Sequence, residues 1–231
     1  EQIKIHGNDF YFDIAKSDIS QKFKVPQKLY GRENEIQKLE SYFQNASLGS
    51  VEFCLVSGYS GVGKTAIVKE LGRSIASKNG YLIQGKFDQF KQNAPYTTIV
   101  NAFSNLIKLL LGEPENRLNY WKDEIINALD NNDQLLIDYI SELELVIGPQ
   151  DPVLEMPVEE SHNRFLTNFI NFINVFGSEN YPLVIFLDDL QWSDIPTLNL
   201  IKQMVLRQGR NKQKYLVGGN ETFLKNRRVY F

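Results

Sequence analysis

The clearest chemistry in this chain lies in Gly58-Tyr59-Ser60-Gly61-Val62-Gly63-Lys64-Thr65. The spacing is G-x-x-x-x-G-K-[ST], which suits a loop that grips linked phosphates. Gly58, Gly61 and Gly63 can take positive φ and let the backbone curl around an anion where a Cβ would obstruct it. The amides from Tyr59 through Ser60, Val62 and Ala66 then point inward, and a helix beginning near Gly63 adds its positive end. Lys64 supplies a mobile charge for the β- and γ-phosphates, and the Thr65 hydroxyl is placed to ligate Mg²⁺. A chain of this length would show the pattern by chance roughly 1% of the time. Nucleotide binding is therefore preferred to a glycine-rich turn with a solvated lysine.

A second place for chemistry is Asp188-Asp189, which closes the apolar run Leu183 to Leu187. Adjacent carboxylates disfavour each other unless a cation or proton compensates. Mg²⁺ held by Thr65 and Asp188 would compensate, leaving Asp189 to orient or deprotonate an attacking water. Lys64 and Asp189 are thus the candidate catalytic groups. The plainer alternative is an acidic loop in which Ser193 or Asp194 caps the helix that follows; both roles can coexist. Other reactive residues are sparse. Cys54 lies on an apolar strand and reads as a small core residue rather than a nucleophile, and His6 and His162 are too few and too far apart for a metal cluster.

These groups need a scaffold, and the sequence suggests an α/β one. Val51 to Ser57 reads as the strand before the phosphate loop, and the helix after it ends at Lys78-Asn79-Gly80. Tyr81 to Phe87 reads as a second strand, Leu183 to Leu187 as a third and Lys214 to Gly218 as a fourth. Helices are expected at 32–44, 96–111, 157–176 and 195–207, with two short ones within 118–147. Phe165, Phe169, Phe172 and Phe176 recur at helical spacing, more in keeping with a core stripe than a cofactor box. The continuous apolar run before Asp188 fits a parallel strand buried on both faces. If that strand neighbours the first, its carboxylates lie beside the phosphate loop at the sheet's carboxyl edge. The expectation is a three-layer, mostly parallel sheet flanked by helices, with a helical insert at about 96–160. A connector at 1–24 would precede the domain at 25–218, and a basic tail at 219–231 would follow it.

Composition sets the outer bounds. In 231 residues the single cysteine has no internal partner, which points to a reduced, cytoplasmic setting. No apolar run approaches the ~20 residues needed to cross a bilayer. The chain starts with Glu1, as a segment of something longer would. Residues 113–160 carry thirteen Asp/Glu against two Lys/Arg, and residues 202–231 carry eight Lys/Arg against one acid. The aromatics of the basic stretch are not interleaved with its charges in base-stacking form, which favours a solvated face over nucleic acid as partner.

Tyr30-Gly31-Arg32-Glu33 is by itself a turn and a helix cap. Placed ahead of the phosphate loop, it resembles the "GRE box" of AAA-like and STAND ATPases, and the likeness implies that Tyr30, Gly31 and Arg32 fold over an adenine. The resemblance widens through Asp18-Ile19-Ser20, Pro26-Gln27-Lys28-Leu29, Gly85-Lys86-Phe87-Asp88-Gln89-Phe90, Ser161-His162-Asn163-Arg164-Phe165 and Asp188-Asp189-Leu190-Gln191-Trp192-Ser193-Asp194. Together these are similar to the ATPase module of large bacterial proteins that join a serine/threonine kinase to a sensor histidine kinase. The resemblance implies an ATP- and Mg²⁺-binding switch, with the phosphate loop and Asp188-Asp189 as its Walker A and Walker B motifs. Its partners would be kinase and sensor domains of a longer parent chain, with nucleotide-dependent self-association left open. One departure is plain: where the family carries a sensing arginine after the fourth strand, this chain reads Val217-Gly218-Gly219-Asn220-Glu221-Thr222. Slow or partner-dependent hydrolysis is the leading expectation. A non-hydrolysing scaffold, a DNA-loading AAA+ initiator and a small-molecule phosphotransferase are the rivals, in that order.

Overall fold

The computed structural model describes residues 31–48, 52–59, 61–90, 94–129, 133–152, 157–176, 181–206 and 215–219. The expected connector, Tyr30, Ser60 and the stretch after Gly219 lie outside the described residues.

Four parallel strands form the described sheet: β1 (Glu52–Leu55), β2 (Tyr81–Lys86), β3 (Leu183–Asp188) and β4 (Tyr215–Gly219). Their spatial order is β1-β4-β3-β2. Parallel pairing brings every carboxyl end to one edge, with Lys86 beside Asp188 and Leu55 beside Gly219 in register. The first and third strands are not neighbours, so the condition that would put Asp188 beside the loop by strand adjacency is not met; β4 lies between them. Sequence order says nothing of spatial order in a parallel sheet, because each crossover can pass over a vacant position that a later strand fills.

The buried run of β3 is covered on both faces. Val184 packs with Leu39, Phe43, Ile67, Leu71 and Ile75. Its alternating neighbours Leu183, Ile185 and Leu187 join a larger cluster on the other face, as period-two side-chain alternation requires. The first cluster is supplied by α1 (Glu33–Ser47), α2 (Lys64–Glu70) and α3 (Gly72–Ser77). In α1, Leu39, Phe43 and Ala46 are buried at helical spacing, while Glu33 and Glu35 sit in the first turn where the dipole favours them. The helix after the phosphate loop is divided: the Leu71 amide bonds to the Val68 carbonyl at 3.1 Å, a tightened turn between α2 and α3. At its end Asn79 takes φ 53° and the Gly80 amide returns to the Ile75 carbonyl at 2.9 Å, the stop expected at 78–80.

The larger cluster rests on α4 (Thr97–Leu110), α5 (Glu115–Leu129), α6 (Asp133–Ile137), α7 (Glu144–Ile147), α8 (Val158–Val175) and α9 (Ile195–Leu206). Three helices occupy the region where two were expected, because Ile140 to Leu143 tightens into a 3-10 turn between the last two. The phenylalanine stripe is core: Phe165, Phe169, Phe172 and Phe176 are all buried, and Phe103 of α4 meets the last three edge-on or tilted.

One buried polar knot ties β2 to α5. The Tyr81 hydroxyl donates to Glu113 Oε1 at 3.1 Å and accepts from Arg117 Nη2 at 3.1 Å and Trp121 Nε1 at 3.3 Å. Burial pushes this phenol up to about 12, so it stays a donor.

Candidate functional site

The phosphate loop runs from the end of β1 into α2. Gly61 (φ 82°) and Gly63 (φ 94°) occupy the left-handed region, which glycine alone enters without steric cost. Gly58, at φ 157°, also has a backbone angle that L side chains rarely adopt, and a Cβ there would sit 3.0 Å from Val62 Cγ2. No side chain caps α2, whose N-cap is Gly63. The first-turn amides, from Lys64 through Ala66, have no intrahelical acceptor and form a local positive pole. Lys64 Nζ folds back over the loop and donates to the carbonyls of Gly58 at 2.8 Å and Tyr59 at 3.0 Å. Two of the three ammonium donors are thereby used, leaving one for an anion. Tyr59 contributes its carbonyl here while its side chain is 89% exposed.

Thr65 links this loop to the acidic end of β3. Its Oγ1 donates to Asp188 Oδ2 at 3.1 Å, although β4 separates the strands that carry the two motifs. The loop and the first turn of α2 span the end of β4, a lateral reach of roughly 10 Å for two strand spacings. Asp188 Oδ1 accepts the Asp189 amide at 3.0 Å. Asp189 turns away in the left-handed conformation, φ 57°. Its Oδ2 faces Lys86 Nζ at 3.5 Å, and its Oδ1 accepts from Gln191 Nε2 at 3.1 Å. The like charges are thus separated by giving each carboxylate its own partners.

Lys86 is the site residue that local sequence reasoning missed. It appeared only as part of a family-like segment. The signal that places it beside Asp189 is the parallel register pairing Lys86 with Asp188, which no local pattern encodes. Asp194, rather than Ser193, caps α9: its Oδ1 accepts the Thr197 amide at 2.7 Å and its Oδ2 the Thr197 hydroxyl at 2.6 Å.

On the other side of the loop, α1, β1 and Lys64 enclose a cleft of about 410 Å³. Arg32 lines its mouth and pairs with Glu35 at 3.0 Å, while Gly31 makes the turn before it at φ 71°. Cys54 is half-buried: it packs against the cluster of Leu39, Phe43 and Val184 and also lines the cleft. Burial pushes its thiol up, only partly offset by the nearby Lys38 charge, so the neutral form is held.

Oxygen donors from Thr65 and Asp188, side by side at the loop, fit a hard divalent cation. Magnesium is commonly bound through one or two protein oxygens with phosphate and water completing the shell. Among the described residues there is no group of three or more His, Cys, Asp or Glu that could hold a metal by itself.

Residues 28–217 match the family model described as AAA ATPase domain. The hybrid signal transduction histidine kinase G of Dictyostelium discoideum is 35% identical over 194 residues, covering 84% of this chain and 6% of that protein. Histidine protein kinase 1 of Candida albicans is 24% identical over 187 residues, 73% of this chain and 7% of that protein. The chain therefore spans only a small part of the length of the curated relatives it matches. No helix among the described residues is long and apolar enough to cross a membrane.

Proposed function

The chain belongs to the AAA ATPase domain family, and from that premise we propose that it is an ATP- and Mg²⁺-dependent regulatory module of a larger signalling kinase. The contact between Thr65 and Asp188 carries the reading, since it joins the phosphate loop and the acidic strand at one point. The open cleft beside Arg32 and Lys64 lies where a base would extend from phosphates in that loop. The finer kinship is with STAND-type ATPases, built as three layers over residues 25–218 with a helical insert at about 96–160. Kinase and sensor domains of a longer parent chain are the partners, in a cytoplasmic setting.

In the mechanism, the loop amides and Lys64 hold the phosphates, and Lys64 exchanges a carbonyl of its own loop for a phosphate oxygen. Thr65 and Asp188 would hold Mg²⁺, which when bound neutralises charge on the β- and γ-phosphates. Asp189 orients the attacking water, and for that it must loosen from Lys86. Tyr59, Ser60, Val62 and Ala66 contribute backbone, and Tyr30 to Arg32 border the base. Closure around nucleotide, more than turnover, is the output. The ion pair that occupies Asp189 also favours a second reading, a scaffold that binds nucleotide without hydrolysing it.

The test is calorimetric titration of the wild type and Lys64→Ala with MgATP. Loss of charge-assisted bonds should weaken binding about 10- to 100-fold. Equal affinity in the two proteins would remove the phosphate loop from the site.

A further inference from the structure

Three non-glycine residues among those described have positive φ: Asn79, Tyr96 at 66° and Asp189 at 57°. Asparagine tolerates that region and here ends a helix, but for a bulky tyrosine it is an outlier. Such a conformation persists where the surroundings hold it. Tyr96 is held from both sides. Its amide donates to Thr197 Oγ1 at 3.0 Å, and the same hydroxyl donates to Asp194 Oδ2 at 2.6 Å. Asp194 closes the short turn that begins at Asp189, in which the Trp192 amide bonds to the Asp189 carbonyl and the Ser193 amide to that of Leu190, both at 3.0 Å. On its other side, the Tyr96 hydroxyl lies 3.3 Å from His162 Nε2 and its ring meets Phe165 at 5.3 Å between centroids, both residues of α8.

The geometry points to Tyr96 as a positioning residue that couples the loop carrying Asp189 to helix α8. The inference rests on the nucleotide-binding reading above. At the centre of the chain of contacts Thr197 is fully buried and Tyr96 nearly so, while Asp194 at one end is partly buried and His162 at the other is exposed. At the Tyr96–Thr197 bond water has no ready access to replace a lost partner, so a shift in Thr197 must be taken up by Tyr96 and its ring against Phe165. Burial and the nearby Asp194 charge push the Tyr96 phenol up to about 12, which keeps its hydroxyl protonated toward His162. When Asp189 leaves Lys86 to meet a bound nucleotide, the turn to Asp194 moves with it, and Tyr96 passes that movement to α8. Because α8 also leads in sequence toward β3, the coupling closes a circuit between the acidic strand and the helix before it.

The experiment is amide hydrogen exchange over residues 158–175, with and without MgATP, in the whole chain. The wild type and Thr197→Ser, which keeps the hydroxyl, should show exchange in α8 slowed at least about fivefold by MgATP. Thr197→Val should lose most of that response while its MgATP affinity, measured by calorimetry, stays within about twofold. Tyr96→Phe, which keeps ring and backbone but loses the bond to His162, should weaken the response in the same direction and serves if Thr197→Val does not fold. An α8 unresponsive to bound MgATP in the wild type, or a full response in the folded variants, would overturn the coupling while leaving nucleotide binding intact. Absence of MgATP binding by the wild type would overturn the underlying reading and the coupling with it.

Discussion

Thr65 Oγ1 and Asp188 Oδ2 are joined by a 3.1 Å hydrogen bond across 123 residues of chain. A hydroxyl and a carboxylate so placed are the oxygen pair that a divalent cation could share with a phosphate. The bond gives Asp188 a role distinct from that of Asp189, whose carboxylate faces Lys86 and Gln191 instead. Neighbours in sequence are therefore held by different partners, and the two proposed roles can be tested apart.

That division separates two variants. Asp188→Asn keeps an acceptor for Thr65 but removes charge, and should weaken MgATP binding about tenfold while sparing binding of ATP in EDTA. Asp189→Asn should bind MgATP normally and lose phosphate release by about 10²- to 10⁴-fold. Titrations with and without chelator, paired with a phosphate-release assay, check both. Indistinguishable behaviour of the two variants would merge the roles.

Lys86 offers a second handle. Its pair with Asp189 is open to water, with the lysine side chain 72% exposed, so Lys86→Met should alter stability by less than about 1 kcal/mol. Released from its cation, Asp189 becomes a freer acceptor for water, and phosphate release should rise about two- to tenfold. A thermal melt and a turnover assay on one preparation decide it. Unchanged turnover would mean that the ion pair does not restrain Asp189.

The Tyr81 knot governs stability rather than binding. Tyr81→Phe leaves Trp121 Nε1 without the hydroxyl it donates to, inside a residue that is fully buried. The cost should be about 1–3 kcal/mol in urea unfolding followed by tryptophan fluorescence, with nucleotide affinity untouched. A change below about 0.5 kcal/mol would place this contact among ordinary surface effects.

Glu142 sets an acid limit. The Ser104 hydroxyl at 2.5 Å, then Lys108 at 2.9 Å, hold its carboxyl down at about 2. A depressed folded value means stability that is present above the ordinary carboxylate range and lost as pH falls from about 4.5 towards 2. The group is partly open to solvent, so screening reduces the effect to about 1 kcal/mol. Melting temperatures of wild type and Glu142→Gln should differ at pH 6 and converge near pH 2.5; a constant gap would contradict the assignment.

Much of the site was legible in the chain itself. Glycines at fixed spacing before Lys64-Thr65 specify a loop through backbone sterics, a local matter, and Gly61 and Gly63 do take positive φ. The β3 run and the phenylalanine stripe of α8 were equally readable, since period and burial are written in consecutive residues. What was not legible was adjacency. The sequence suggested Asp188 beside the loop by way of neighbouring strands; the structure reaches the same contact over an intervening β4. Cys54 reads as core from its apolar strand and does pack against the smaller cluster, but the cleft beside it depends on where α1 packs.

By itself, then, the amino-acid order determined the four strands and the longer helices, and marked the side chains that are candidates to hold phosphate and metal. Folding decided that Lys86 meets Asp189, that Asp194 rather than Ser193 caps α9, and that Tyr96 stands between Thr197 and His162. Local conformation follows from φ/ψ preference and side-chain period within a few residues, whereas these pairings follow from strand order and register, which are set by packing the sheet against the helices around it.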